Sequence, residues 1–340
     1  MRRFIDVDNV HEIFAEQNSP ILTFDENADY GAWKNEIKEK FIGLTGLDKI
    51  EKNACPLNVL IEESVITDGY KKIRFSFESE RGAFVPCYLL LPDEGRGKHP
   101  LAVVLQGHTS GFHNSLGIAH SREDKEGLPR NAFALQAVKN GFAALAIEQR
   151  GLGERAPIKP RRIWGDSCTF TAMNALLLGR TIIGERVWDV SRAIDCMAEF
   201  ENVDTSEIVV TGNSGGGTAS FYAACYDERI TLCVPSCSFC EYKDSIMFMY
   251  HCPCNIIPHA YEWFEMSDLA CLIAPRKLSV FAGRYDAIFP IEGVNKAFGK
   301  ARRIYEKENC ENNVRLIVTE KDHYWCDDLV WAEICRIIKK

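Results

Sequence analysis

Short apolar runs recur from about residue 70 onward, separated by longer stretches with helical spacing. Ile73 to Phe77 alternates apolar and polar positions, and Phe84 to Leu91 is a longer run ending at Pro92. Together they predict an antiparallel opening pair of strands. Leu101 to Leu105, Phe142 to Ile147, Ile208 to Thr211, Ile230 to Pro235, Leu278 to Ala282 and Val314 to Val318 are short buried-type runs. Between them lie helical patterns. Val187, Val190, Ile194 and Met197 make one apolar stripe, and the stretch Asn131 to Lys139 meets a helix stop at Asn140-Gly141. A last helix beginning near Asp327 carries Asp327 and Asp328 at its start and Lys339 and Lys340 at its end, which complements the helix dipole. Short apolar strands alternating with helices predict an α/β fold with a mostly parallel sheet covered on both faces.

The first 55 residues read differently. Val10 to Glu16 and Trp33 to Phe41 carry apolar residues at helical spacing, and Trp33, Ile37 and Phe41 fall on one face. The expected division is a helical extension over residues 1–55 packed on a main domain over residues 56–340. Two segments interrupt the regular alternation. Glu154 to Arg180 contains Trp164 and Phe170, and Phe239 to Ala274 contains Tyr242, Phe248, Tyr250, Tyr261, Trp263 and Phe264. Insertions after the carboxyl ends of strands build pockets in such sheets, so these aromatics are expected to wall part of a site. A satellite core is the competing reading for each of them.

The chemistry concentrates at Gly212-Asn213-Ser214-Gly215-Gly216, which follows the run Ile208-Val209-Val210 and opens a helical stretch from Thr218 to Cys225. This is G-x-S-x-G in strand–turn–helix context, a turn that exposes a serine hydroxyl. A dinucleotide loop is the rival, but Ser220 stands where its last small residue would fall, and no lysine follows the glycines. A serine nucleophile needs a histidine base held by a carboxylate. In chain order Asp or Glu follows the serine, and His comes last. His323 is the one later histidine that follows a clear strand. His251 and His259 lie in an irregular segment. Asp286 follows the strand Leu278 to Ala282, whereas Asp244 and Asp268 follow none. A capping aspartate and a surface histidine are the bland readings, but the ordered set of three outweighs them. The oxyanion donors expected are the backbone N–H of Gly215 and that of His108 or Thr109, in Gln106-Gly107-His108-Thr109 after Leu105. The His108 ring precedes the serine and is expected to line the site or pack locally.

Composition changes the picture only at its margins. With 340 residues and 46% hydrophobic content, one large domain with extensions suffices. A net charge of −8 and the lack of a basic stripe argue against a nucleic-acid surface. The charged N-terminal stretch and the absence of a long apolar run predict a soluble, cytoplasmic protein without a signal peptide or membrane span. Fourteen cysteines in such a chain are expected to be free thiols packed as small hydrophobes. Cys233, Cys237, Cys240, Cys252 and Cys254 crowd near His251, but their spacing forms no paired C-x2-C knuckles, so no metal site is expected.

Gln106-Gly107-His108, Arg150-Gly151-Leu152-Gly153, the charged stretch from Gly184 to Ala193, the serine turn, Asp286 and His323 together resemble the α/β-hydrolase superfamily. The resemblance covers roughly residues 70 to 340. Within the superfamily, the chain is similar to acetyl xylan esterases, cephalosporin-C deacetylases and dienelactone-hydrolase-like esterases. It departs from that group at Leu152, Gly215 and Tyr324, where the group's usual residues are Gln, Gln and Glu. The resemblance implies hydrolysis of a small carboxylic ester, acetyl or short-chain acyl, with a carbohydrate among the carriers it allows. Ser214 would act as nucleophile, His323 as base and Asp286 as its orienting acid, with no organic cofactor or metal. Arg150 is expected to brace a loop near the site. Activity should rise towards neutral pH as a histidine base loses its proton. The partner implied is a small-molecule ester, with no nucleic acid and no membrane; a homo-oligomer stays open. Two rival functions remain: a prolyl-oligopeptidase-like peptidase or aminoacyl hydrolase, since Gly212 to Gly217 also fits G-x-S-x-G-G, and a non-catalytic binding protein on a hydrolase scaffold.

Overall fold

A nine-stranded sheet in the order β1-β2-β3-β5-β4-β6-β7-β8-β9 organises the computed structural model, which describes residues 8–67, 69–93, 97–157 and 167–338. The strands are β1 (Leu60–Thr67), β2 (Tyr70–Glu80), β3 (Ala83–Pro92), β4 (His99–Leu105), β5 (Ala143–Ile147), β6 (Val203–Asn213), β7 (Leu232–Ser236), β8 (Lys277–Gly283) and β9 (Val314–Thr319). β1, β2, β3 and β5 pair antiparallel in sequence, and every pair from β5 through β4 to β9 is parallel. The α/β class expected from the apolar runs is the class observed. The pattern did not reveal β1. All eight of its residues are exposed, and a bulge between Ile61 and Glu63 breaks its register, so no alternation marks it.

The helices are α1 (Asp8–Gln17), α2 (Tyr30–Thr45), α3 (Leu47–Glu51), α4 (Arg122–Gly127), α5 (Phe133–Lys139), α6 (Ser167–Leu177), α7 (Ile182–Cys196), α8 (Gly215–Tyr226), α9 (Ala260–Trp263), α10 (Ile291–Lys307) and α11 (Asp327–Ile338). Successive residues of β4 feed opposite faces of the sheet. Leu101, Val103 and Leu105 join one apolar cluster with Val187 of α7 and Phe221 of α8, and Ala102 and Val104 join another with Phe133 of α5 and Val330 of α11. The sheet is thus covered on both sides, as continuous apolar strands require.

The N-terminal helices share the first of these cores. The face Trp33, Ile37 and Phe41 is buried, and the Phe41 ring stacks on Tyr222 of α8 with centroids 5.8 Å apart. Helix α2 is closed at its start by Asp29, which accepts the Ala32 N–H at 3.0 Å, and at its end by Gly46 at φ 75°.

Four of the aromatics expected at the site lie elsewhere. Tyr242 and Phe264 are buried in the core, and the Tyr242 hydroxyl meets that of Tyr222 at 2.6 Å. Tyr261 donates to the Ala15 carbonyl at 3.0 Å, and the Trp263 ring carries Lys40 Nζ 3.4 Å from its centroid. Tyr261 and Trp263 thus seat the N-terminal helices, and the fully desolvated Tyr242 and Phe264 rings join the core, where a large ring gains most. Trp164, Lys339 and Lys340 lie outside the described residues. Among the described residues, no helix is long and apolar enough to cross a membrane.

Candidate active site

The strand order reverses at β4. From β4 the chain moves to β5 on one side and then returns to β6 on the other. The crevice at the carboxyl ends of β4 and β6 is the position where open α/β sheets bind ligands. Gln106-Gly107-His108 leaves β4 there, and Ser214 stands between the end of β6 and the start of α8.

Ser214 has φ 56° and ψ −126°, a conformation that costs a residue with a Cβ on the order of 1–3 kcal/mol. Close packing holds it there. A side chain at Gly212 would run into the Leu105 carbonyl oxygen, and one at Gly216 would approach the Gln106 carbonyl oxygen to 2.6 Å. Only glycine lets β4 lie so near the turn. The Ser214 N–H is anchored to the Ser236 carbonyl of β7 at 2.9 Å.

Asp286 and His323 meet directly beyond β8 and β9. His323 Nδ1 lies 2.8 Å from Asp286 Oδ2, and the other carboxylate oxygen accepts the N–H groups of Ile288 at 2.8 Å and Phe289 at 3.1 Å. Burial raises the Asp286 pKa, but the hydrogen bond and charge of His323 and the two N–H groups outweigh it, so its carboxyl sits below the usual value. An ionised carboxylate only accepts, so Nδ1 carries a proton, and in the neutral tautomer this leaves the Nε2 lone pair free. The Phe289 ring lies nearly parallel to the imidazole, with centroids 6.0 Å apart. Ser214 Oγ makes no hydrogen bond to His323. In a ligand-free site such bonds are often long and tighten on substrate. Cys237, directly after Ser236, packs against the pair: its Sγ lies within 4.8 Å of the Asp286 carboxylate and the His323 ring.

Neither the Gly215 nor the His108 backbone N–H has a partner among the described residues, whereas the Thr109 N–H turns back to the Gly107 carbonyl at 2.9 Å. Of the two candidates after β4, His108 is therefore the free donor. Two buried ionisable side chains hold this rim. Glu148 accepts from Gln106 Nε2 at 2.9 Å, from the Phe112 N–H and from the Glu154 N–H, and so ties the loop after β4 to the loop after β5. Arg150 makes two 2.9 Å bonds to Asp189 and further pairs with Glu80 at 2.7 Å and Glu185 at 3.2 Å. A polar cavity of about 550 Å³ opens beside His108 and Ser110, with Asn114, Asp124, Arg130 and Asn131 in its wall. The Arg130 guanidinium lies 4.5 Å from the ring of Tyr324, the residue after His323.

The cysteine-rich segment divides. Cys233 and Cys240 are buried thiols in the core, and Cys237 lies against the Asp286–His323 pair. Cys252 and Cys254 instead meet Cys168 and the His108 ring, and His251 turns to Ser245 at 3.1 Å. Sequence spacing missed this grouping because Cys168 and His108 come from distant segments. Phe289 and Glu148 were also missed, for want of any local motif.

The sequence matches the family described as Abhydrolase family over residues 2–316. YtaP of Bacillus subtilis (strain 168), provisionally named a hydrolase, is 27% identical over 247 residues, covering 70% of this chain and 78% of its own. Among solved structures, a Bacteroides fragilis NCTC 9343 protein provisionally named an acetyl xylan esterase superposes with a TM-score of 0.79 at 16% identity, covering 99% of this chain and 96% of that one. A glucuronoyl esterase from Solibacter usitatus gives 0.66 at 14% identity, with 94% and 96% covered. These superpositions share the fold built around the β4–β6 reversal, and the family match spans most of the sequence: the chain belongs to the Abhydrolase family, the α/β-hydrolases.

Proposed function

We propose that this protein is a serine carboxylic ester hydrolase acting on a small acetyl or short-chain acyl ester, carried on a carbohydrate or another polar alcohol. One observation carries the reading. A strained, half-buried serine, an Asp-held histidine and two backbone N–H groups without a partner among the described residues share one rim of the sheet. Ser214 attacks the ester carbonyl, and His323 Nε2 takes its proton and returns it to the leaving alcohol. Asp286 fixes the ring and stabilises the imidazolium. The Gly215 and His108 amides receive the oxyanion in the tetrahedral intermediate. Water then repeats the sequence on the acyl-enzyme. The polar lining of the neighbouring cavity favours a hydroxyl-rich leaving group over a long acyl chain. The esterase names of the structural relatives agree with this chemistry.

The test pairs fluorophosphonate labelling with turnover of a p-nitrophenyl ester series. Ser214→Ala keeps the Cβ and hence the same backbone strain, so its Tm should stay near that of the parent. Labelling should vanish and ester turnover fall by at least about 1,000-fold. Aminoacyl-anilide cleavage without ester turnover would convert the reading to a peptidase. An unlabelled parent without turnover would leave a binding protein.

A further inference from the structure

His108 Nε2 and the sulfurs of Cys168, Cys252 and Cys254 all lie within 4.8 Å of one another. The Cys168 and Cys252 sulfurs are 3.4 Å apart, and Cys254 Sγ is 3.2 Å from His108 Nε2. The four come from three segments: the loop after β4, the first turn of α6 and the turn around Pro253. Three thiols and one imidazole form a Cys3His set, the donor chemistry of tetrahedral zinc. Bonds of about 2.3 Å to sulfur and about 2.0 Å to nitrogen place donor atoms roughly 3.5–3.8 Å apart around such an ion. The two shortest separations, 3.4 and 3.2 Å, fall within about 0.4 Å of that range, and the others stay below 4.8 Å.

A second observation points to the same place. Arg186 is 2% exposed, yet its guanidinium makes no ion pair with a carboxylate among the described residues. It donates twice to the Arg150 carbonyl, at 3.2 and 2.7 Å, and once to Cys168 Sγ at 3.1 Å. A buried cation without a counter-charge costs several kcal/mol. A divalent ion held by three thiolates and a neutral imidazole carries one net negative charge, facing that guanidinium.

We infer that His108, Cys168, Cys252 and Cys254 bind a zinc-class divalent cation that holds the oxyanion loop in place. Four protein ligands close the coordination shell, so the ion does not touch substrate. It acts through His108. The ring is held by its Nε2 while the backbone N–H of the same residue serves the oxyanion. A Cβ built on Gly215, the other donor, would lie 3.2 Å from the His108 ring. The ion therefore fixes the distance between the two donors. Its catalytic effect rests on the esterase reading, but its binding does not.

Metal analysis of the purified full-length protein should find one zinc-class ion per chain. After chelation, cobalt(II) should restore the intense visible bands of a tetrahedral thiolate complex, and Cys254→Ser should lose both signals. With an ester substrate, chelation should lower kcat by up to about 100-fold at nearly constant KM, with recovery on adding zinc. The cobalt spectrum of the chelated parent decides the matter even if the variant fails to fold. A metal-free protein with all thiols titratable and no cobalt bands would overturn the site. So would a Cys168–Cys252 disulfide seen as two missing thiols, or metal retained by Cys254→Ser. Bound metal whose removal leaves kcat unchanged would overturn its positioning role alone.

Discussion

Arg150 and Arg186 are both buried and both touch the loop after β5, but they are neutralised differently. Arg150 faces Asp189, Glu80 and Glu185, and its carboxylates are shared with Arg155 and Arg180. Arg186 has a carbonyl and a sulfur. Glu148 in the same rim is the converse: an acid held by amide N–H groups with no salt bridge among the described residues. A protein interior tolerates charge only when it is paired or hydrogen-bonded. The first arginine shows this fold supplying its own counter-charges. The second has none among the described carboxylates, and the inferred cation with its three thiolates would supply one.

The largest effect should come from breaking the complete network. Asp189→Asn leaves Arg150 and Arg155 short of the carboxylate they share and should cost about 3–5 kcal/mol in chemical denaturation. A loss under 1 kcal/mol would mean that Glu80 and Glu185 suffice.

The next effect depends on pH. Burial pushes the Glu148 pKa up to about 7, against the amide N–H groups that favour its charged form. A raised carboxyl contributes stability that is fully present below its ordinary value and lost as pH rises through about 7. The parent should therefore lose up to about 3 kcal/mol between pH 4.5 and pH 8 relative to Glu148→Gln. Parallel stability curves for the two proteins would refute this.

The smallest effect sharpens the contrast itself. Arg186→Met removes the cation facing Cys168 and should weaken zinc binding by about 10–100-fold in chelator competition. Arg150→Met, whose partners are carboxylates, should leave zinc affinity within about 3-fold of the parent. Equal losses in both variants would erase the distinction between the two arginines.

These features were unequally legible in sequence. The serine turn is local: strand, glycines and helix lie within about a dozen residues, so its pattern survives in the chain. Asp286 and His323 could be picked out because each follows a buried strand in a fixed order. The sulfur cluster could not, since Cys168 lies 84 residues from Cys252 and His108 lies 146 from Cys254. Only Cys252 and Cys254 appeared, grouped with Cys233, Cys237 and Cys240 near His251. The aromatics of the 239–274 insertion misled for a related reason. Their sequence position after a strand was right for a pocket wall, but Tyr242, Tyr261, Trp263 and Phe264 had a larger apolar surface to cover under the N-terminal helices. Strand β1 left no trace because neither of its faces is buried.

That first strand also governs how the molecule meets its neighbours. Its outer side presents amides unpaired among the described residues beside the exposed Leu60, Ile61 and Ile66, a template on which a foreign chain could zip. The irregularity between Ile61 and Glu63 bends that template, and the acidic gatekeepers Glu62 and Glu63, tethered to Arg74 and Lys72, stand along it. Sheet growth past this border would have to straighten the bend and accept two carboxylates, which protects a crowded solution from aggregation seeded at the border.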